Sequence, residues 1–401
     1  MKVLQVNITC GRGSTGRLAQ ALYEATIRDG NEARFAFSTF TPTLPNAYCI
    51  SSPLLDVMRK GCNIAFGRRQ QFSYFATRRL INYIKKEKPD LIHLHNIHHN
   101  MVNYFTLFSF LKTKNIPTVF TLHDCAFFTG GCYHYTTKHC DTFKNNCQNC
   151  PMGHAYDHIA FSSEQAYEAK RRLIGDNPNL YPVCVSDWLR REATASYMGA
   201  MAHPPRTIYN GIDTRRFYPE ESDIRTRLGI PRDAFVVLSI AYVWDVRKGA
   251  AMLLKLRERL PHGCVLVLVG SGLEDLTGRY PNLICLPKTE SQDELRRLYA
   301  TADVFVNASL EETFGLTTAE ALACGTPAVV FDSTACPELV DEASGLAIPH
   351  DEDALCQAVE TIRRRGKDAY APHCVQRAHT LFDQDRMVCD YINLYRSILH
   401  D

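Results

Sequence analysis

Long apolar runs are missing from this sequence, and no stretch approaches the roughly 18 consecutive apolar residues of a membrane-spanning helix. An excess of one charge is missing as well. Because 45 Lys and Arg face 43 Asp and Glu, for a net charge of +2, a nucleic-acid partner is not expected. The chain opens on MKVLQVNIT, which is typical of a first strand and not of a secretory leader. We therefore expect a cytoplasmic protein whose sixteen cysteines are reduced.

What the 401 residues do contain is a repeated alternation of short apolar segments with amphipathic helical patterns. KVLQVNI followed by GRLAQALYEATIRDG is one such pair, and FVVLSIAY followed by DVRKGAAMLLKLRERL is another. This order predicts an α/β protein of two doubly wound parallel-sheet domains. We place them at 1–208 and 209–384, with a Cys-rich loop at 125–160 and a final helix over 385–401. Ligands bind at the carboxyl ends of such strands, so two facing domains predict a site in a central cleft.

The segment GRGSTG, residues 11–16, matches the G-x-G-x-x-G pattern between a strand and a helix, which suggests a dinucleotide fold. That fingerprint expects an acidic residue at the end of the second strand. Here the strand ends FAFSTF, and Glu32 lies before it. We favour a tight glycine turn that lets the loop approach a ligand, with the backbone amides from Gly13 to Gly16 favouring an anion.

The segment SLEETFGLTTAEALACGTPAVV, residues 309–330, carries the strongest functional signal. Glu312 follows a strand, Gly315 allows close backbone approach, and a helix with free amides opens near Leu316. Glu320 falls near the first turn of that helix. Amides alone suit a phosphate, whereas neighbouring carboxylates are useful when the ligand also carries hydroxyl groups, as a sugar nucleotide does. The alternative for Glu320 is that it only complements the helix dipole.

The segment WDVRKG, residues 244–249, places Arg247 and Lys248 after the first strand of the second domain and before a helix. Departure of a diphosphate generates negative charge, which a cation at this position stabilises. A solvated basic pair is the alternative, although helix N-termini disfavour cations. VGSG, with Gly270, ends the next strand and is typical of close backbone approach to a ligand.

Together these motifs resemble those of the retaining glycosyltransferases of family 4. The resemblance rests on the E-x7-E pair around FG, on EALACGTPAVV, on RKG at 247–249 and on NGID at 210–213. It covers nearly the whole chain, including YINLYRSIL of the last helix, which in that family crosses back to the first domain. It implies the GT-B fold, in which two Rossmann-like domains face a cleft and the second holds most of the nucleotide sugar.

The resemblance also implies roles for individual residues. Glu320 is expected to bind the ribose, Glu312 the transferred sugar and Lys248 the diphosphate. The full set of expected donor-binding residues is Gly13, Gly16, Arg247, Lys248, Gly270, Glu312, Phe314, Gly315, Leu316 and Glu320. Family members usually carry an Arg five or six residues before the Lys, where this chain has Tyr242 and Val243, so Arg247 is the candidate substitute.

The first domain contributes histidines at two strand ends. TLHD ends a strand with His123 and Asp124, and a His here contacts the transferred sugar in the resembled family. We therefore expect His123, Lys248 and Glu312 to form the catalytic set. His95 and Asn96, within HLHNIHH at 93–99, are expected to bind the acceptor together with Asp124. A structural role is the alternative for these histidines, because four so close together cannot all be functional.

The Cys-rich loop contains Cys132, Cys140, Cys147 and Cys150. Four thiolates with a C-x2-C end suffice for a tetrahedral structural zinc, which would compensate for a loop without an obvious core. Reduced structural cysteines and a disulfide are the alternatives. The loop resembles one in family members linked to bacterial surface polysaccharides.

The segment 58–88 has nine Lys or Arg against one Glu, with aromatic residues between the charges. It predicts either contact with the anionic inner face of a membrane or a solvated basic surface. Contact with a membrane would suit a lipid-linked acceptor.

These observations predict a retaining hexosyltransferase that uses an NDP-sugar, UDP- or GDP-linked, and a glycan or polyprenyl-linked acceptor in surface polysaccharide biosynthesis. Because no D-x-D motif ends a donor-site strand, we expect no catalytic divalent metal. The alternatives are a sugar-phosphate synthase or phosphorylase on the same scaffold, and a non-catalytic subunit of glycan assembly.

Overall fold

The chain folds into two compact units, one comprising Met1–Ile208 with Met387–Asp401 and the other comprising Tyr209–Arg386. Each unit is built on one parallel sheet, as the alternation of apolar segments and helices predicts. The computed structural model describes residues 1–39, 42, 44–45, 47–52, 57, 73–97, 101–151, 162–276, 278–289 and 291–400.

The sheet of the first unit has seven parallel strands in the order β3-β2-β1-β4-β5-β6-β7. The central strands are short and buried on both faces, which explains why they read as apolar runs without alternation. The strands are β1 Lys2–Val6, β2 Glu32–Phe37, β3 Tyr48–Cys49, β4 Leu91–Leu94, β5 Thr118–Leu122, β6 Leu180–Cys184 and β7 Arg206–Thr207.

Helices cover the sheet of the first unit, and the last helix of the chain belongs mainly to this unit. Tyr391 and Tyr395 of that helix pack with Leu18 and Leu22 of the first helix and with Val3 of β1. The helices are α1 Gly13–Arg28, α2 Tyr74–Glu87, α3 Tyr104–Lys114, α4 Ser163–Lys170, α5 Asp187–Thr194 and α12 Gln384–His400. A π-helical turn over Arg171–Gly175 directly continues α4.

The sheet of the second unit has six parallel strands in the order β10-β9-β8-β11-β12-β13. The strands are β8 Phe235–Val243, β9 Cys264–Ser271, β10 Leu283–Leu286, β11 Val304–Asn307, β12 Ala328–Phe331 and β13 Gly345–Ile348. The helices are α6 Ile224–Arg227, α7 Ala250–Arg259, α8 Gln292–Thr301, α9 Leu316–Ala323, α10 Glu352–Arg365 and α11 Ala371–Leu381.

Both sheets have a topological switch point beside their first long strand. In the first unit β1 lies between β2 and β4, and in the second unit β8 lies between β9 and β11. Successive connections therefore leave these strands in opposite directions, which opens a crevice at their carboxyl ends. Gly13 follows β1 and Lys248 follows β8, whereas His123 follows β5 and Glu312 follows β11. No helix within the described ranges is long and apolar enough to cross a membrane.

Candidate active site

The loop after β8 carries Lys248 on a single 3-10 turn, Val246–Lys248. The Asp245 carboxylate starts this turn by accepting a hydrogen bond from the Lys248 backbone amide at 3.1 Å. Gly249 follows in the left-handed region, with φ of +71°, and a Cβ there would lie 2.1 Å from the carbonyl oxygen of Ala308. Only glycine fits this position, so the RKG motif is required for the loop after β8 to pack against the loop after β11.

The Lys248 ammonium meets the Glu312 carboxylate, with 2.5 Å between Nζ and Oε1. Their side chains are 29% and 18% exposed, so both groups lie at the surface of the carboxyl edge and neither is sealed in the core. A backbone hydrogen bond of 2.8 Å from Leu310 to the carbonyl of Arg247 holds the two loops together. Two of the predicted catalytic residues are therefore adjacent, in the loops that follow the neighbouring strands β8 and β11.

Arg247 is held by Asp245 at 2.8 Å rather than by Glu312. Burial raises the pKa of the Asp245 carboxyl, but the hydrogen bond and the charge of Arg247 outweigh it, so this pKa lies below its ordinary value. Arg247 thus steadies the turn that presents Lys248. Its predicted contact with the donor is not tested by this arrangement.

The loop that carries Glu312 is also tied to the next strand end. The Glu312 amide donates to the Thr334 hydroxyl at 2.9 Å, and the Glu312 carbonyl accepts from the Ala335 amide at 3.3 Å. Gly315, with φ of +101°, then starts α9 without a side-chain cap. The first amides of this helix have no capping side chain, which is the arrangement that favours an anion.

Phe314 is buried in the loop that leads to α9. Its side chain is 3% exposed and lies in an aromatic cluster with Tyr209 and Phe382, at ring-centroid distances of 6.1 and 5.6 Å. The ring therefore anchors the loop, and a direct contact of this buried side chain with a sugar is not supported. Any contact from this segment comes from the backbone around Gly315.

Glu320 lies in the second turn of α9, and its side chain is buried at 6% exposure. Its Oε2 accepts a hydrogen bond of 2.9 Å from the Tyr299 hydroxyl. Glu320 is the fifth residue of α9, just past the first turn, where the helix-dipole alternative weakens. Tyr299 was missed in the sequence because no local pattern links a residue of α8 to one of α9.

Close packing or a positive φ requires glycine at the strand ends, independently of any ligand. A Cβ on Gly270 would lie 2.0 Å from the Ala241 carbonyl oxygen of the neighbouring strand, so packing within the sheet already requires this glycine. A Cβ on Gly16 would lie 2.5 Å from the Thr9 hydroxyl. Gly13 has φ of +67° and opens α1, which has no side-chain cap at Arg12. The uncapped start of α1 is the part of the GRGSTG prediction that fits an anion.

In the first unit, His123 directly follows β5 and is partly exposed, as expected for a residue at a strand end. Its Nε2 lies 3.5 Å from Nδ1 of His95. The Asp124 carboxylate accepts from the Ala126 amide at 2.9 Å, which shapes the turn after His123.

His95 itself is 3% exposed, and its Nε2 lies 2.8 Å from the Gln5 side-chain oxygen. Burial, with help from the charges of His93 and His123, holds the pKa of His95 well below its usual value. Both ring nitrogens have protein partners, and the expected contact of His95 with an acceptor stays a prediction. Asn96 is half-buried, and its side-chain oxygen has no hydrogen-bond partner among the described residues.

The four cysteines of the loop at 125–160 share one electrostatic environment. Burial, reinforced by the other three thiols, raises the pKa of Cys132 to about 12, and burial raises that of Cys147 to about 11. The Gly130 amide donates to the Cys147 sulfur at 3.1 Å, a contact that suits a thiolate. The donor set fits zinc by its chemistry. However, in the described part of the chain no three His, Cys, Asp or Glu residues converge on a metal position, so zinc stays a prediction.

Comparison with known proteins now gives the class of protein. A family model described as Glycosyltransferase Family 4 matches residues 15–216, half of the chain, and one described as Glycosyl transferases group 1 matches residues 234–364. The fold and the motifs at its strand ends define a glycosyltransferase of the GT-B type, which confirms the predicted fold class. The chain belongs to glycosyltransferase family 4.

Two curated relatives differ in how much of their length they share with this chain. The putative colanic acid biosynthesis glycosyl transferase WcaC of Escherichia coli K12 is 24% identical over 99% of this chain and 100% of its own. The D-inositol 3-phosphate glycosyltransferase of Saccharomonospora viridis is 30% identical over 51% of this chain. The chain spans about half the length of that relative, 53%.

Two solved structures show the same fold over the full length. Sucrose-phosphate synthase from Thermosynechococcus elongatus has a TM-score of 0.73 at 18% identity, covering 100% of this chain and 99% of its own. HepE from Anabaena, solved with UDP and glucose, has a TM-score of 0.68 at 17% identity, covering 99% and 100%. At these identities the likeness shows the fold alone.

Proposed function

We propose that this protein is a retaining glycosyltransferase that moves a hexose from an NDP-sugar, UDP- or GDP-linked, to a glycan or lipid-linked acceptor in surface polysaccharide biosynthesis. The observation that carries the proposal is the ammonium–carboxylate pair of Lys248 and Glu312 beside the uncapped start of α9. A sugar diphosphate needs a cation and amides for its phosphates and a carboxylate for its hydroxyls.

The relatives support the nucleotide sugar and the polysaccharide. HepE was solved with UDP and, separately, with UDP-glucose, at 18% identity and a TM-score of 0.67 in the second case. WcaC, which aligns over its full length, is named for colanic acid biosynthesis. We extend both to this chain as proposals, and we leave the choice between uridine and guanosine to experiment.

The proposed chemistry breaks the bond between the anomeric carbon and the diphosphate oxygen and forms a bond from the acceptor oxygen to the same carbon. The new bond forms on the face that the leaving group vacates, so the anomeric configuration is retained. The proton of the acceptor hydroxyl goes to the leaving phosphate oxygen. Lys248 and the α9 amides stabilise the developing negative charge, while Glu312 orients the transferred sugar. His123 is the residue of the first unit to which the family resemblance assigns a sugar contact. No step requires a divalent metal.

A nucleotide-release assay tests this function. UDP-, GDP- and ADP-hexoses would each be supplied with a polyprenyl-linked acceptor, a glycan or a soluble sugar phosphate. We expect release of UDP or GDP with the lipid or glycan acceptor. NMR of the product should show the transferred sugar with the same anomeric configuration as in the donor. Turnover only with the soluble sugar phosphate would favour the synthase alternative, and no release with any acceptor would contradict the proposal.

We also propose that the protein acts at the cytoplasmic face of a membrane, through the basic segment 58–88. Residues 58–72 lie outside the described ranges, and the rest of the segment enters α2. There Tyr74 and Phe75 are 44% and 59% exposed, and the Arg78 guanidinium lies 5.7 Å from the Tyr74 ring. Exposed aromatic rings beside basic residues suit an anionic surface. Co-sedimentation with vesicles containing phosphatidylglycerol, compared with neutral vesicles, tests this contact.

A further inference from the structure

Below the partly exposed ring of His123, a chain of buried polar side chains crosses the first unit and ends on α12. We propose that this network, through His95, Gln5 and Tyr395, fixes the proton of His123 on Nε2 and so makes Gln5 and Tyr395 positioning residues for the active-site histidine. The inference deepens the proposed function and rests on it only for the catalytic consequence.

The network starts at the carboxyl ends of three neighbouring strands. Gln5 of β1 pairs in register with His93 of β4, and Thr121 lies on β5. His95 and His123 come two residues after His93 and Thr121, so they point to the same face of the sheet. Gln5, His93 and Thr121 are buried, at 0%, 0% and 2% exposure.

The contacts that lead from His123 to the last helix are continuous. His123 Nε2 lies 3.5 Å from His95 Nδ1, and His95 Nε2 lies 2.8 Å from the Gln5 side-chain oxygen. The Gln5 side-chain nitrogen lies 3.3 Å from the Tyr395 hydroxyl. That hydroxyl in turn lies 2.5 Å from His93 Nδ1.

The amide of Gln5 sets the direction of every proton in this chain. Because its oxygen faces His95, the His95 Nε2 must donate, and a neutral His95 then has only an acceptor at Nδ1. His123 must therefore donate from Nε2. On the other side, the Gln5 amide nitrogen donates to the Tyr395 hydroxyl, which can then donate its own proton to His93.

The remaining contacts of His93 are consistent with this direction. His93 accepts from Tyr395 at Nδ1 and donates from Nε2 to the Thr121 hydroxyl at 2.7 Å. The Thr121 hydroxyl lies 2.8 Å from that of Tyr391, which ends the chain. These contacts give one consistent donor-to-acceptor direction between His123 and Tyr391.

Burial disfavours a positive charge on His93 and His95, so both rings stay neutral and the order of donors and acceptors in the network is kept. Burial lowers the pKa of His93 and of His95 well below the ordinary value, and the two rings lie 3.9 Å apart between centroids, tilted by 32°. Among the described residues, the groups that contact this pair are Gln5, Thr121, His123, Tyr391 and Tyr395, and none of these five is a carboxylate.

This arrangement decides which His123 nitrogen carries the proton in the neutral ring. The proton lies on Nε2 and is directed at His95 Nδ1, so Nδ1 of a neutral His123 is the nitrogen without a proton. Reversing the Gln5 amide would reverse this preference, which is why Gln5 and Tyr395 control the chemistry that His123 can offer.

The decisive experiment is NMR of the full chain labelled with 15N-histidine, with the His123 signals identified by their loss in His123→Gln. We expect long-range couplings that report a proton on Nε2 in the wild type. Gln5→Leu and Tyr395→Phe should move the His123 15N shifts toward a mixture of tautomers. Tyr391→Phe is the matched control, because it removes a hydroxyl of the same helix at the far end of the network and should leave His123 unchanged.

Kinetics separate the inference from the proposed function. If the chain transfers sugar, Gln5→Leu and Tyr395→Phe should lower kcat by roughly tenfold with little change in the donor KM, and Tyr391→Phe should not. Wild-type His123 protonated on Nδ1, or shifts that stay unchanged in folded Tyr395→Phe, would overturn the inference. Expected NMR behaviour without any sugar transfer would instead contradict the function and leave the network intact. If Gln5→Leu does not fold, Tyr395→Phe alone decides.

Discussion

Lys248 and Glu312 lie 64 positions apart in the chain, yet the ammonium of one is 2.5 Å from the carboxylate of the other. The pair joins the loops after the adjacent strands β8 and β11, beside the switch point of the second sheet. A carboxylate that holds the cation in place also leaves its second oxygen for a sugar hydroxyl. The proposed leaving-group and sugar contacts therefore depend on one another, which the predictions below use.

Replacing Lys248 tests the leaving-group assignment. Lys248→Ala should lower the rate of nucleotide release by roughly 100- to 1,000-fold, the usual effect of removing one group that stabilises a developing anion. Because the side chain lies at the surface, the melting temperature should change little. Lys255→Ala is the matched control, since Lys255 also pairs with a carboxylate, that of Glu352, in the same unit. Unchanged turnover in Lys248→Ala would contradict the proposal that Lys248 stabilises the leaving diphosphate.

Gly249 tests whether the packing of the two loops positions this pair. Gly249→Ala places a Cβ 2.1 Å from the Ala308 carbonyl oxygen, in addition to a φ of +71°. Gly263→Ala has the unfavourable backbone conformation without the steric clash, because its φ is +84° and no atom lies within 4 Å of the added Cβ. We expect Gly263→Ala to lower the free energy of unfolding by about 1–2 kcal/mol and Gly249→Ala by clearly more, with loss of donor binding. Equal losses in denaturant titrations would contradict the close packing.

The buried histidines predict how stability depends on pH. The pKa values of His93 and His95 are lowered in the folded protein, while the unfolded chain titrates near 6.5, so the unfolded state binds more protons below that pH. Stability is thus complete above pH 6.5 and falls as the pH drops, with a slope of up to about 1.4 kcal/mol per pH unit for each histidine. His95→Gln should reduce the slope of the unfolding free energy between pH 6.5 and 5, and His262→Gln, at an exposed position, should not. An unchanged slope in His95→Gln would show that His95 does not stay neutral.

Metal analysis tests the zinc predicted at the four cysteines. We expect about one zinc per chain in protein purified without chelators, and a lower melting temperature after chelation, because metal binding contributes folding free energy. Cys150→Ser should weaken retention of the metal, whereas Cys389→Ser, an exposed cysteine outside the loop, should not. Protein without zinc but with reduced thiols would favour structural cysteines instead.

The candidate site was predictable as far as local pattern reaches. Lys248, Glu312 and His123 follow strand ends, and strand ends can be read from apolar runs. Asp245, three residues before Lys248, was missed, although an acidic residue at that distance before a turn is a recognisable start signal. The burial of the Phe314 ring was not predictable, because the FG motif does not tell whether the side chain or the backbone of a loop faces the surface.

The sequence by itself determined the α/β class, two parallel sheets and the positions of the glycines and charged residues that end their strands. Those properties follow from periodicities of a few residues, which need no knowledge of distant parts of the chain. Only the tertiary structure decided that Lys248 pairs with Glu312, that Tyr299 holds Glu320, and that Gln5 joins His95 to Tyr395. Such pairings link residues up to 390 positions apart, and they exist only where strand order and side-chain direction bring the atoms together.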